Sequence, residues 1–409
     1  MTAGFRHDDL RRRNRAMLIA AVRRAGSVSR TDLVAATGLS HSTISAISAD
    51  LISEGVLAET RAGDLPTARR GRPQVGLGLD PQAATVVTVA LTLNHLTAAL
   101  VDYAGEVKQE DHRRLPTKTM PTAELVEAMV AMVGRLVELR PAEAGPVARI
   151  VVAVQGTTDA AARRLLWSPI ASQADIPFAS ILEDAFGVPT TVENDCSMIA
   201  IALRWKQPER YREDFIAILL SHGIGMGLVL KGELFGGTQS SGCEFGHMVH
   251  RPDGALCRCG RRGCVEAYAG SYAIWRSAGL LPDDAEPAAD IGDDEMAALA
   301  ARARTADGPE RAAFRRAGEA LGFGLGSLFA LVDPAPVALV GRGALAFDLI
   351  EPALAAAIAR TAGGEHSGAL SFAVEPDEMP LIRDGAAMRA LTYVDDEVLA
   401  PGAASGLPS

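Results

Sequence analysis

Residues 9–25, reading DLRRRNRAMLIAAVRRA, set Leu10, Met17, Leu18, Ala21 and Val22 along one helical stripe with arginines elsewhere. An amphipathic helix ended by Gly26 is predicted there. A second short helix, TDLVAATG, follows, with Thr31 placed to cap it and Gly38 to stop it. Ser40 stands where a cap is wanted for a third helix, HSTISAISADLISEG, whose buried face would use Ile44, Ile47, Leu51 and Ile52 before Gly55 closes it. Three helices with a tight Gly38-Leu39-Ser40 turn between the last two give a helix-turn-helix.

Beyond the third helix, Val56 and Leu57 start a strand, and ETRAGDLPTARRGRPQVGLGLDP has the shape of a hairpin, or wing. From Val75 the pattern becomes apolar strands with glycine turns. VVTVALTLNHLTAALVDYAG reads as two strands turning at Asn94-His95, residues 122–140 as an amphipathic helix, and 148–156 as a buried strand. A helix near 179–186, the strand PTTVEND, the paired strands of 215–232 and the strand PVALVGRG at 336–343 continue the alternation. Repeated strand, glycine-loop and helix units predict α/β architecture, with a ligand crevice at the strand ends.

Composition sharpens this in two ways. Of 409 residues, 48% are apolar but only 5% aromatic, so the core must be built from Ala, Val, Leu and Ile. The net charge of −10 divides unevenly: residues 1–80 carry twelve Arg against eight Asp and Glu, and the remainder is strongly acidic. A small basic module on an acidic body suits local binding to double-stranded DNA. On the third helix His41, Ser42, Thr43, Ser45 and Ala46 are small or polar groups able to approach base edges, while Arg69, Arg70 and Arg72 in the wing can hold phosphate or enter a minor groove. Charges fill the first fifteen residues and no run of eighteen apolar residues occurs, so the expectation is a cytoplasmic protein with reduced cysteines and no membrane partner.

The most specific chemistry lies in 247–266, HMVHRPDGALCRCGRRGCVE. His247, Cys257, Cys259 and Cys264 fall within eighteen residues among glycines and arginines. One imidazole and three thiolates complete a tetrahedral shell for a structural Zn2+, with no open position for catalysis. Ordinary core packing or a disulfide is the competing reading, against which the flanking Gly and Arg argue.

These segments together resemble the ROK (repressor, open reading frame, kinase) family, in particular its sugar-responsive repressors with an N-terminal winged helix-turn-helix. The LSHSTIS helix, the RRGRP wing, VEND, SHGIGMGLVLKG and CEFGHMVHRPDGALCRCGRRGCVEAYAG occur in that family's order over nearly the whole chain. The resemblance implies a winged helix-turn-helix over 1–75 and an actin-like, hexokinase-like (ribonuclease H-like) domain over 76–400 in two lobes dividing near 196–200; the Gly, Pro, Ser and Ala content of 401–409 predicts a loose tail. It implies a homodimer or homotetramer whose hold on an operator, as a repressor, responds to a monosaccharide or derivative in a cleft between lobes. The groups it assigns to sugar hydroxyls are Asn194, Asp195, Glu244, His247 and Glu266.

The family also contains ATP-dependent sugar kinases, in which the aspartate matching Asp195 is the base. Their first phosphate loop, an Asp followed by Gly-Gly-Thr, would fall at 89–95, where this chain reads Val-Ala-Leu-Thr-Leu-Asn-His. Leu91 and Leu93 cannot approach phosphate as glycine does. The second loop reads Ser221-His222-Gly223-Ile224-Gly225 in place of Gly-Thr-Gly-Ile-Gly. The expectation is therefore a non-enzymatic sensor, with a kinase or a regulator controlled by a partner protein as the alternatives.

Overall fold

A computed structural model describes residues 3–60, 75–237, 243–288, 290–364 and 370–399. It divides into two compact units, one formed by Met1–Ala153, Pro177–Val192 and Ala386–Ser409, the other by Val154–Ile176 and Glu193–Gly385.

The first unit begins with α1 (Ala3–Ala25), β1 (Val28–Ser29), α2 (Arg30–Thr37), α3 (His41–Ser53), β2 (Leu57–Thr60) and β3 (Gly76–Leu79). The strands form a small antiparallel sheet in the order β1-β3-β2, so this module runs to Leu79, past residue 75. Leu18, Ile19 and Val22 of α1 meet Leu33, Ile44, Ile47 and Leu51 in its core. Three details differ from expectation. Leu10 is 58% exposed, because the buried stripe runs through Arg15, Leu18, Ile19 and Val22, an i, i+3, i+4, i+7 set one turn on. Ser29, not Thr31, caps α2 by accepting from the Asp32 amide. Ser48 occupies the buried face of α3 where Ile52 was expected, and Ile52 is half-buried. Ser40 does cap α3, accepting from the Thr43 amide at 3.1 Å, and Gly38 ends α2 at φ 71°.

The same unit continues through β4 (Thr85–Thr92), β5 (His95–Asp102), β6 (Val107–Arg114), α4 (Thr122–Glu138) and β7 (Val147–Val154). After the short hairpin β8 (Thr157–Thr158) and β9 (Leu165–Trp167) come α5 (Phe178–Phe186) and β10 (Thr190–Asn194). The sheet order is β10-β7-β4-β5-β6. β4 and β5 turn at Leu93-Asn94, one residue earlier than expected, with Thr92 opposite His95 and Asn94 at φ 61°. Leu91 and Leu93 are buried, so positions 89–95 form a tight hairpin end packed into the core.

In the second unit α6 (Asp195–Lys206) precedes β11 (Phe215–Leu220), β12 (Ile224–Leu230), β13 (Glu233–Leu234), β14 (Val337–Val340) and β15 (Phe372–Glu375). Their order is β13-β12-β11-β14-β15, with β14 parallel to both β11 and β15. Numbered within its own unit, each five-stranded sheet has the order 3-2-1-4-5. The chain thus holds two copies of one α/β plan, the ribonuclease H-like arrangement, behind a winged helix-turn-helix.

Replacing Ser40 with Ala removes the acceptor for an orphan amide of α3 and should cost about 1 kcal/mol. Hydrogen exchange across 41–53 should quicken accordingly, whereas Leu10→Asn should leave α1 unchanged.

Candidate functional site

Glycine brings the second unit's site together. A Cβ at Gly225 would lie 2.3 Å from Cys196 Sγ, and one at Gly227 would lie 2.3 Å from the Cys196 carbonyl oxygen. The start of α6 is therefore pressed onto β12, a packing reason for glycines that sequence reading relates to phosphate. Asn194 caps α6, its Oδ1 accepting from the Ser197 amide at 3.0 Å while its Nδ2 donates to the Gly156 carbonyl at 3.0 Å. The next residue, Asp195, is held with 2% exposure.

Asp195 Oδ1 accepts from the Cys196 amide at 2.8 Å, while Oδ2 is buried without a protein partner. Burial pushes the carboxyl up to about 7, against the Cys196 amide and with help from the charge of Glu244. The group is thus half protonated near neutral pH and has one acceptor free for a ligand's donor.

Beside it lies a small cleft, partly open to solvent. Asn194, Asp195, Glu244, His247 and Glu266 all line it, so the structure brings the five expected sugar-contact residues to one place. They differ in how free they are. Glu244 is exposed, and its Oε1 accepts from the Thr157 hydroxyl at 3.0 Å. Glu266 is only 4% exposed: Oε2 accepts from the Ile224 amide at 3.1 Å, and Oε1 faces the Tyr272 hydroxyl at 3.3 Å and Cys257 Sγ at 3.5 Å. A Cβ at Gly223 would stand 2.7 Å from Glu266 Oε2, so a side chain there would displace that carboxylate. Gln155 and Trp167 line the same cavity without having been singled out in the sequence. Trp167, whose ring meets that of His247 edge-on at 5.8 Å, follows no recognisable motif. Gln239, Ser240 and Ser241, and the wing arginines Arg69, Arg70 and Arg72, lie outside the described residues.

His247, Cys257, Cys259 and Cys264 converge so that one ligand atom from each lies within 4.8 Å of the others. His247 Nδ1 is 3.8 Å from Cys257 Sγ, and the sulfurs of Cys259 and Cys264 are 3.9 Å apart. A tetrahedron with bonds of about 2.3 Å has edges of about 3.8 Å, so the donors fit a metal ion. At 3.9 Å the two sulfurs are not bonded, and all five cysteines are free. Hydrogen bonds from Cys257 and Cys264 hold the Cys259 thiol below its ordinary range, while the same sharing raises Cys257 and Cys264. The expected exposure of this loop needs correction, because Cys257 and Cys264 are buried in the core. The arginines that argued against burial turn away: Arg258 donates to the carbonyls of His222 and Ala288, Arg262 to that of Gly254. His247 spans both features, with Nδ1 toward the sulfurs and Nε2 3.8 Å from Glu244. Arg276, buried and also missed in the sequence, fastens the segment through the carbonyls of Leu256 and Ala267.

In the first unit, His41, Ser42, Ser45 and Ala46 are exposed on α3 and Thr43 is half-buried, so the expected DNA-contact face is free of the core.

The model described as the ROK family matches residues 86–380. The chain belongs to the ROK family. Among curated ROK relatives it is similar to the xylose repressor of Bacillus subtilis, 25% identical over 264 residues, which are 64% of this chain and 67% of that protein. It is also similar to the DNA-binding transcriptional dual regulator NagC of Escherichia coli, 23% identical over 352 residues and 86% of each chain. Among solved structures, a ROK family transcriptional regulator, homolog of the E. coli MLC protein, superposes with TM-score 0.75 at 22% identity, covering 95% of this chain and 98% of that one. A ROK family glucokinase from Streptomyces griseus, in complex with glucose and AMPPNP, gives 0.60 at 24% identity over 75% of this chain and 99% of its own. Both likenesses establish the fold. No helix among the described residues is long and apolar enough to cross a membrane.

A carboxyl with a raised folded pKa takes up a proton on folding between about pH 4 and 7, so its contribution to stability falls as pH rises through that window. Asp195→Asn should therefore stabilise the protein, by a margin that grows from pH 4 to about 7, reaches on the order of 4 kcal/mol, and is constant above. Thermal unfolding across that range reads it; a margin that shrinks with rising pH would contradict the assigned burial.

Proposed function

We propose that this ROK protein is a transcriptional repressor whose affinity for a DNA operator is set by a monosaccharide, or a derivative of one, held in the cavity at Asp195. The observation that carries the reading is the convergence of Asp195, Glu244, Glu266 and His247 on one cavity, with Asp195 Oδ2 buried and unpartnered. A sugar offers vicinal hydroxyls, and a buried acceptor discriminates strongly between a ligand that donates to it and one that does not. Asp195 and Glu244 would accept from hydroxyls. Asn194 and Glu266, already engaged by protein groups, would use their remaining capacity or shape the floor.

His41, Ser42, Thr43 and Ser45 would face base edges, and Arg69, Arg70 and Arg72 the phosphates or minor groove. Two copies of the chain would read a pseudo-palindromic operator. Coupling of roughly 1–3 kcal/mol between sugar and operator is enough for a regulatory response. The repressors among its curated relatives support this reading.

His247, Cys257, Cys259 and Cys264 would hold zinc. Bound there, the ion supplies four fixed bonds and no open position, hence support and no catalysis. His247 Nε2 would then be presented to the cavity in a fixed orientation.

A second, roomier cleft, also partly open to solvent, favours one other reading. It borders Ser221 and His222 and includes Met296, Phe314, Ile350 and Arg342, leaving room for a nucleotide beside the glycine turn. An ATP-dependent sugar kinase would use it, with Asp195 as the base. The buried Leu91 and Leu93 at the hairpin end weigh against that, since no backbone loop there can wrap phosphates.

Purified protein should carry about one zinc per chain by elemental analysis and lose it in Cys259→Ser; less than half an equivalent in the wild type would contradict the assignment. Operator affinity measured over a panel of monosaccharides and their phosphates should change about 5- to 150-fold with one of them, and a flat response would remove the effector. ADP release with any hexose, abolished by Asp195→Asn, would establish the kinase instead.

A further inference from the structure

The 23-residue helix α1 packs on α2 and β3 inside the three-helix module, yet its buried charges bind elsewhere. The Arg23 side chain is 4% exposed, and its Nη2 donates to both carboxylate oxygens of Asp395, at 2.8 and 3.0 Å. Its Nη1 donates to the main-chain oxygen of Tyr103, and the guanidinium lies 4.6 Å from the centre of the Tyr103 ring. The Tyr103 hydroxyl closes the triangle by donating to Asp395 Oδ1 at 2.6 Å. Each of the three residues therefore touches the other two, although they come from the end of α1, the end of β5 and the C-terminal segment, up to 372 positions apart.

Two further contacts follow the same line. Asp395 sits in a π-helical turn, Val394–Val398, a widened geometry that occurs mostly where a helix serves a particular contact. The preceding Tyr393 is held by Arg149 of β7, whose guanidinium is 3.7 Å from its ring centre. About two turns earlier on α1, Arg15 donates to the Leu399 carbonyl at 2.7 Å and pairs with Glu54 just after α3. The C-terminal turn thus grips α1 at two points, one of which also reaches the end of the recognition helix.

We infer that Arg23, Tyr103 and Asp395 form a buried joint that fastens α1, and with it the three-helix module, to the five-stranded sheet and the C-terminal turn of the same unit. A guanidinium whose Nη2 holds the Asp395 carboxylate, whose Nη1 holds the Tyr103 carbonyl and whose face lies on the Tyr103 ring has a fixed direction, so the joint sets the helix's orientation as well as its attachment. Removing one member leaves another buried and uncompensated, so the joint holds or opens as a whole. Arg23 and Asp395 are positioning residues and touch no DNA. The joint itself stands on these contacts; its meaning for regulation rests on the proposed reading of α3 as the DNA-contact helix.

Hydrogen exchange by mass spectrometry on the full chain tests it. Arg23→Met should accelerate exchange at least tenfold across 10–25 and 394–399, with 30–53 following, while 85–102 and 215–230 stay within twofold of the wild type. Tyr103→Phe, which removes one hydroxyl and keeps the fold, should produce the same pattern at smaller amplitude. Arg23→Lys, which keeps charge but not the fork, should fall between the wild type and Arg23→Met. Exchange in 10–25 within twofold of the wild type for Arg23→Met would overturn the joint, as would equal acceleration of 85–102 in both Arg23→Met and Tyr103→Phe. A duplex selected by the wild type from a random-sequence pool separates the two claims: failure to select any duplex removes the DNA reading and leaves the exchange result to decide the joint.

Discussion

The carboxylate of Glu266 is the point on which the second unit's site depends. One oxygen accepts the Ile224 amide and so fixes the turn between β11 and β12; the other meets the Tyr272 hydroxyl and Cys257. Through this one buried group the cysteine segment, the glycine turn and the cavity share a single geometry. A buried carboxylate is stable only while its partners hold, so any displacement of the Cys257–Cys264 segment is transmitted to the turn and to the cavity wall. The metal-fitting cluster and the cavity are two faces of one structure: His247 belongs to both, and Glu266 in the cavity wall reaches the cluster at Cys257.

That arrangement explains why glycines persist at 223, 225 and 227 in a chain whose 89–95 segment is a closed hairpin. Gly223 makes room for the Glu266 carboxylate, and Gly225 and Gly227 let α6 sit against β12. Each of the three therefore has a packing role. The same contact buries Asp195 at the start of α6, where a helix N-terminus would ordinarily favour the charged form. Desolvation wins, and the carboxyl is held near neutrality.

Features encoded by neighbours in sequence were legible there: the cap at Ser40, the stop at Gly38, the strand alternation, and the four donors packed into eighteen residues. What escaped reading depends on partners far along the chain. The stripe of α1 holds at Leu18 and Val22 but not at Leu10, because Arg15, a charged residue, occupies a buried position by virtue of Leu399 and Glu54. Burial of Cys257 and Cys264 was missed because the direction of Arg258 and Arg262 is set by carbonyls that composition does not reveal. Trp167 and Arg276 carry no motif, and the Arg23–Tyr103–Asp395 triangle joins three segments that no periodicity connects.

In the function proposed above, the cluster holds the cavity in the form that accepts a hydroxylated ligand. Calorimetric titration of one effective monosaccharide into wild-type protein and into folded Cys259→Ser protein tests it most directly. Binding to the wild type and at least tenfold weaker binding to the variant is the expected result. Equal affinity in both would contradict it, because the cavity would then owe nothing to the cluster beside it.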